Sequence, residues 1–117
     1  MQHQFEDLTV WKKSMQLVKD LYKKSQSFPK DERYGLTGQL RRAGVSIPVN
    51  IAEGKGRYHK KEYIQFLYIA RGSIYEVMTL LHLAEDLEYL SKVDADNLLK
   101  SSSEITAMLN GLIQSLQ

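Results

Sequence analysis

The chain has 117 residues and no cysteine, and its 16 basic and 14 acidic residues give a formal charge of +2. This length suits a single domain over residues 1–117, while the lack of cysteine excludes disulfides and thiolate metal sites and predicts a reducing, cytoplasmic setting. No stretch approaches the roughly 18 apolar residues of a membrane span and the N-terminus does not have the form of a secretory leader, so we expect no membrane partner.

The first predicted element is a helix from about Leu8 to Ser25, because apolar residues recur there at steps of three and four. It carries two neighbouring apolar stripes. One consists of Val10, Leu17 and Leu21, and the other of Trp11, Met15, Val18 and Tyr22. Helix 2 is expected to begin near Asp31 and Glu32, because the positive end of a helix dipole favours acidic side chains.

Helix 2 contains a proline, Pro48, in the middle of its apolar stripe. The stripe continues on both sides of it, through Leu36, Leu40, Ala43, Ile47 and Ile51. The pattern therefore predicts one helix that is kinked at Pro48, where the missing N–H and the ring cost about 3 kcal/mol in a regular helix. Gly44 should ease the bend, and Gly54 and Gly56 should end the helix through positive φ angles.

Helix 3 is predicted from Lys60 to about Leu87 and is apolar on nearly every face. Its main stripe alternates steps of three and four through Tyr63, Phe66, Ala70, Ser73, Val77, Leu80, Ala84 and Leu87. Even the opposite face carries Ile69 and Leu83. Each helix of a small bundle should keep one face in water, so this surplus predicts an interface between subunits.

Ser91, with Asp94 three residues later, predicts the N-terminal cap of helix 4. The last apolar stripe consists of Leu98, Ile105, Leu109, Leu112, Ile113 and Leu116. No segment has the alternation of a strand, and short connections favour antiparallel neighbours. The sequence therefore predicts an all-α fold, an antiparallel up-down-up-down four-helix bundle.

Charge is unevenly distributed along the chain. Residues 41–61 contain six bases and one acid, whereas residues 82–117 contain two bases and six acids. Bases neutralise phosphates while an aromatic ring stacks on an exposed nucleobase. The candidate RNA or DNA site consists of Arg41, Arg42, Lys55, Arg57, Tyr58, Lys60 and Lys61. The alternatives are an ordinary solvated loop and salt bridges from these bases to the acidic half of another subunit.

The polar face of helix 2 offers a second candidate site at Ser46, Asn50 and Glu53. Small uncharged side chains beside a proline suit a packed polar contact, so an interface or pore competes with a solvated surface. Glu53 is the only acid in residues 41–61, which does not indicate an acid–base pair. His3, His59 and His82 lack metal-site spacing. We expect no enzyme, no metal and no cofactor.

Three stretches resemble a known family: "DLTVWKKS", "FPKDERYGLTGQLRRAGVSIPVNIAEGKGR" and "EYIQFLYIARGSIYEVMTLLHLAEDLEYL". They are similar to the bacterial four helix bundle proteins, also called 23S rRNA-intervening-sequence proteins, which include the accessory variability protein of diversity-generating retroelements. The resemblance implies a four-helix bundle that assembles into a barrel-shaped homopentamer.

The same resemblance implies a partner, because the retroelement relative binds nucleic acid and a reverse transcriptase. The leading hypothesis is accordingly a non-enzymatic homo-oligomer, pentameric by resemblance, that binds RNA or DNA through its bases. The alternative is an oligomeric scaffold or adaptor for protein partners that has no nucleic-acid role.

Overall fold

A computed structural model describes residues 4–117, so His3 lies outside the described residues. Within that range the chain forms four long helices and no strand, which confirms the predicted fold class. The helices are α1 (Thr9–Ser25), α2 (Leu36–Lys55), α3 (Lys60–Asp86) and α4 (Lys92–Leu116). Two short 3₁₀ turns, Phe5–Asp7 and Lys30–Glu32, precede α1 and α2 respectively.

The helices form a four-helix bundle of 45 × 22 × 21 Å. α1 packs on α2, α2 on α3, α3 on α4, and α4 closes against α1. Contacts join the end of one helix to the start of its neighbour: Lys24 Nζ lies 3.1 Å from Asp94 Oδ1 between α1 and α4. Such contacts are those that antiparallel neighbours make.

The core contains most of the predicted apolar positions, but the second stripe of α1, Trp11, Met15, Val18 and Tyr22, lies outside it and is half-buried or exposed. Every helix contributes side chains that are essentially inaccessible to solvent, which include Leu17, Leu21, Leu40, Ile47, Ile51, Leu67, Ile74, Leu81, Ile105 and Leu109. Leu87 departs from the prediction, because α3 ends at Asp86 and leaves the Leu87 side chain 46% exposed. Burial of such side chains supplies most of the free energy that holds a bundle together.

Side-chain oxygens bind backbone N–H groups at the starts of α2 and α4. Ser91 Oγ accepts a hydrogen bond from the Asp94 N–H at 3.1 Å, which confirms the predicted cap of α4. The start of α2 was predicted too early, because Lys30–Glu32 forms a 3₁₀ turn and the helix begins at Leu36. Glu32 nevertheless caps the start of α2, since its Oε1 accepts a hydrogen bond from the Leu36 N–H at 3.0 Å.

A tyrosine of the α3–α4 turn holds the Glu32 carboxylate in place. The Tyr89 hydroxyl donates to Glu32 Oε2 at 3.0 Å, which raises the pKa of Tyr89 above its ordinary value of 10.0. The bond connects the α3–α4 turn to the segment before α2 and holds the Glu32 side chain against the α2 N-terminus.

Pro48 lies buried inside α2, which continues without interruption on both sides of it. Helix α2 ends at Lys55, between Gly54 and Gly56, but the predicted positive φ angles are wrong, since no glycine within residues 4–117 has a positive φ. Gly56 ends α2 at φ −79°, with its N–H bonded to Ala52 O. Gly54 is a packing residue, because a Cβ there would lie 2.8 Å from Phe66 Cβ. Gly44 similarly lets α2 approach Leu21 of α1.

Candidate nucleic-acid interface

The connection between α2 and α3 gathers five of the seven predicted residues at one end of the bundle. This basic loop, as we call it, consists of Lys55, Arg57, Tyr58, Lys60 and Lys61. It is short because α2 ends at Lys55 and α3 begins at Lys60, so its side chains emerge close together. Lys60 and Lys61 are exposed on the first turn of α3, where the helix dipole adds positive potential.

Tyr58 is the most exposed large apolar residue of the basic loop, with 94% of its surface accessible. Its ring meets the His59 ring edge-on, at 4.9 Å between centroids. Arg57 is held nearby by the α3 side chain Phe66, whose ring lies 4.6 Å from the guanidinium carbon. Glu53 is 3.9 Å from Arg57, a distance too long for a strong ion pair at an exposed site. The loop thus presents an open aromatic face beside largely uncompensated bases.

Arg41 and Arg42 do not join this group. Arg41 lies about 21 Å from Lys55 along the axis of α2, given a rise of about 1.5 Å per residue. Its Nε donates a hydrogen bond to Ser25 Oγ at 2.9 Å and its Nη2 donates one to Tyr22 O at 3.2 Å. The Arg41 guanidinium is therefore bound to acceptors in the last turn of α1. Arg42, the next residue of α2, is exposed. The predicted bases therefore occupy two separate places.

The predicted polar stripe is partly a contact within one chain. The Ser46 and Ser73 hydroxyls share a hydrogen bond between α2 and α3. Asn50 Nδ2 donates a hydrogen bond to the backbone oxygen of Ser46 at 2.7 Å, so the Asn50 amide binds within α2. Glu53 lies further along α2, half exposed, and faces Arg57. Ser46 thus joins α2 to α3, whereas Asn50 bonds only within α2.

Two exposed apolar surfaces accompany the basic loop. The first, the α1–α2 groove, has a volume of about 330 Å³ and no polar side chain in its lining. Its walls are Phe5, Trp11, Met15, Val18, Val45, Pro48, Val49 and Ala52. The second, the α3 ridge, consists of Tyr68, Ile69, Tyr75 and Leu83, all exposed. Sequence reasoning identified part of each surface but missed Val45 and Val49, whose spacing of four residues was the available signal.

Metal binding and membrane insertion each require particular features of the part of the chain that the structure describes. Residues 4–117 contain no cluster of three or more histidine or carboxylate side chains that could bind a metal ion. None of the four helices combines the length and the apolarity that crossing a membrane requires.

Comparisons with known proteins agree with this fold. A solved structure from Bacteroides thetaiotaomicron VPI-5482, described as a protein with unknown function from the S23 ribosomal protein family, is similar with a TM-score of 0.80. It shares 26% identity, and the match covers 90% of this chain and 98% of that chain. No curated protein matches the sequence significantly. A family model matches residues 6–111, and the chain belongs to the 23S rRNA-intervening sequence protein family.

Proposed function

We propose that this protein is a non-enzymatic, homo-oligomeric nucleic-acid-binding protein, pentameric as its family resemblance implies, whose basic loops contact single-stranded RNA or DNA. The observation that carries the proposal is the Tyr58 ring, 94% exposed among Arg57, Lys60 and Lys61. An exposed aromatic ring flanked by bases is the arrangement with which proteins bind unpaired nucleotides. The cysteine-free sequence is typical of a cytoplasmic protein, a location in which RNA and DNA are accessible.

Each side chain of the basic loop has a distinct part in this mechanism. Lys60 and Lys61 bind backbone phosphates, and the N-terminus of α3 adds favourable potential for the same anions. Tyr58 stacks on a base, which contributes about 1–3 kcal/mol without selecting a sequence. Arg57 is restrained over Phe66, so it loses less freedom on binding a phosphate than an unrestrained arginine would.

Association of several copies makes this small site effective. The net charge of the chain is only +2, so one basic loop gives weak binding. A strand that reaches several loops of one oligomer binds the second and later loops intramolecularly, which raises the overall affinity without new contacts. A reverse transcriptase, which the retroelement relative binds, is a further candidate partner.

Binding of labelled single-stranded RNA over a salt series tests the proposed function. We expect the logarithm of the association constant to fall linearly with the logarithm of salt concentration, by about 0.7 for each phosphate contacted. Fluorescence anisotropy of the intact protein measures this slope. A slope of zero, or no binding at low salt, would contradict a nucleic-acid role.

Replacing Tyr58 with alanine is expected to weaken binding of single-stranded RNA about 5- to 150-fold, since it removes a stacking interaction of about 1–3 kcal/mol. Tyr34→Ala provides the matched control, because Tyr34 is also exposed (85%) and also adjoins an arginine, Arg33. Anisotropy titrations should show a loss for Tyr58→Ala only. Equal affinities of the two variants would exclude stacking at Tyr58.

A second candidate function is a scaffold for protein partners. The acidic side chains Asp86, Glu88, Asp96 and Glu104 are exposed and provide charges to which the basic loop of another copy could bind. In that case the bases hold subunits together, and their removal would dissociate the oligomer. The proposed function predicts instead that their removal leaves the oligomer intact.

A further inference from the structure

A polar cleft lies between the end of α1 and the start of α2, at the opposite end of α2 from the basic loop. Its volume is about 580 Å³, which is within the range of pockets that bind small organic molecules. Its lining includes three bases, Lys30, Arg33 and Arg41, and no acidic side chain of residues 4–117. Phe28 and Pro29 add an apolar wall. The cleft therefore combines concentrated positive charge with a surface for an organic group.

The nearest acids do not neutralise this charge. Lys30–Glu32 is a 3₁₀ turn, in which side chains three residues apart lie above one another, so Lys30 and Arg33 share a face. Asp31 and Glu32 project from the other faces, and both carboxylate oxygens of Glu32 accept hydrogen bonds from within the chain. No ion pair among residues 4–117 involves any of the three bases of the cleft. Their charge is thus available to an anion from outside.

Arg41 reaches the cleft in a fixed orientation. Its Nε and Nη2 are bound to acceptors on α1, and its guanidinium carbon lies 4.6 Å from the Tyr22 ring centroid. Nη1 has no hydrogen-bond acceptor in the described part of the chain. A guanidinium that is already restrained loses little freedom on binding a ligand, and its planar N–H groups match the oxygens of a phosphate.

Thr37 provides a second, independent indication of a ligand. It lies on the first turn of α2, lines the cleft and is only 7% exposed. Its Oγ1 is buried and has no hydrogen-bond partner within residues 4–117. Burial of a hydroxyl without a partner costs free energy, so such an atom requires an explanation. Threonine in a helix has two accessible χ1 rotamers, which lets this hydroxyl turn toward an anion in the cleft.

We infer that this cleft binds the phosphate group of a small phosphate monoester. Arg33 and Arg41 donate charge-assisted hydrogen bonds to the phosphate oxygens, and Lys30 adds a third positive charge. The Thr37 hydroxyl donates to a further oxygen, at the helix N-terminus whose dipole favours an anion. The organic group lies against Pro29.

The charge of the cleft distinguishes phosphate from carboxylate ligands. A phosphate monoester carries nearly two negative charges at neutral pH, which three bases match better than they match a carboxylate with one. The cleft and the basic loop are separated by most of the length of α2, so this site does not depend on the proposed function.

NMR titration of the ¹⁵N-labelled intact protein with inorganic phosphate, in the absence of RNA, tests the site. We expect saturable shifts of backbone amides centred on residues 25–41. Glycerol 3-phosphate should bind at least as tightly as inorganic phosphate, acetate should bind more weakly, and glycerol should cause no shifts there. Each of three results would contradict the inference: no saturable shifts, shifts centred on residues 55–61, or acetate binding as tight as that of phosphate.

A strand with a 5′ hydroxyl separates a small ligand from the nucleic acid of the proposed function. Single-stranded RNA of this kind carries no phosphate monoester, so it should not displace inorganic phosphate from residues 25–41. Displacement would assign the cleft to the RNA backbone and overturn the inference of a small ligand.

Arg33→Gln should weaken phosphate binding at least about tenfold, because it removes charge-assisted hydrogen bonds. Arg42→Gln is the matched control, since Arg42 is also an exposed arginine but does not line the cleft. It should bind phosphate nearly as tightly as the wild type. Equal losses in the two variants would show general attraction by charge and no defined site.

Thr37→Val should change phosphate binding and stability in opposite directions. Valine keeps the shape of threonine but has no hydroxyl, so phosphate binding should weaken about tenfold. Without phosphate, the loss of an unpaired buried hydroxyl should raise the midpoint of urea unfolding. A hydroxyl with a purely structural role would lower that midpoint when removed. A lower midpoint, or an unchanged phosphate affinity, would contradict the role of Thr37 in the site.

Discussion

Replacement of Arg57, Lys60 and Lys61 with glutamine should weaken binding of single-stranded RNA about 100-fold in about 0.1 M salt. Each phosphate contact contributes about 0.7 log units of affinity at that concentration relative to about 1 M salt, so the loss of three contacts removes about two log units. The dependence of affinity on salt should become correspondingly less steep. Both effects report on the basic loop alone, because the other two predicted bases, Arg41 and Arg42, lie further back along α2 and are unchanged in this variant.

The matched control removes three charges from other surfaces. Lys13, Lys30 and Lys100 are exposed, and glutamine at these positions gives the same net charge as the loop variant. We expect the control to bind RNA with nearly wild-type affinity. If both triple variants bind equally, general charge rather than the basic loop attracts RNA. Sedimentation of the loop variant distinguishes the proposed function from the scaffold alternative. Dissociation of this variant into single chains would show that the bases hold the subunits together.

Replacement of Gly54 with alanine should lower the free energy of unfolding by about 1–3 kcal/mol, the range for overpacking a close-packed interior. Glycine to alanine inside a helix normally stabilises a protein by up to about 1 kcal/mol. Here the added Cβ would lie 2.8 Å from Phe66 Cβ and 3.0 Å from Tyr63 Cδ1. A Cβ is fixed to its backbone, so relief of the contact requires α2 and α3 to separate.

Gly111→Ala is the control, because a Cβ at Gly111 on α4 would meet no other residue within 4 Å. It should stabilise the protein by about 0.5–1 kcal/mol, so the two substitutions should have opposite signs. Gly72 is also open but lies along the α3 ridge, where a change could affect association. Urea unfolding at one fixed protein concentration measures both effects. Stabilisation by Gly54→Ala would contradict the close packing of α2 on α3.

The sequence predicted the number, order and approximate bounds of the helices, because each helix buries a stripe with the period of 3.6 residues. The stripe of α2 continued across Pro48, and the helix does as well. The start of α2 was less predictable. Acidic residues are favoured both in the first turn of a helix and just before it, so their positions do not fix the first helical residue. Glu32 lies in the 3₁₀ turn before α2 and accepts a hydrogen bond from the Leu36 N–H.

Glycine was the residue type whose role the sequence predicted poorly. A glycine near a helix end suggests a positive φ, but Gly54 is required by the proximity of Phe66, which lies twelve residues later in the chain. Contacts between helices depend on their rotation and separation, which a local pattern does not contain. For the same reason the sequence alone did not distinguish a surface, an interface and a pore for Ser46, whose hydroxyl bonds to Ser73 of α3.

The candidate site was predictable in part. Counting charges along residues 41–61 combined two groups of bases that α2 holds about 21 Å apart. Arg41 belongs to the packing of α1, through Ser25 and Tyr22, whereas the basic loop projects from the other end of α2. The sequence did indicate the surplus apolar surface of helix 3. The α1–α2 groove was less predictable, because it depends on two helices packing side by side.

The mass of the wild-type protein in solution tests the central claim most directly. Exposed apolar surfaces should make copies of this chain associate and so bring their basic loops together. Sedimentation equilibrium at micromolar concentration, without nucleic acid, should give one mass that is a whole multiple of the 13.5 kDa chain, five chains for the proposed pentamer. A mass of 13.5 kDa across the same concentrations would contradict the account.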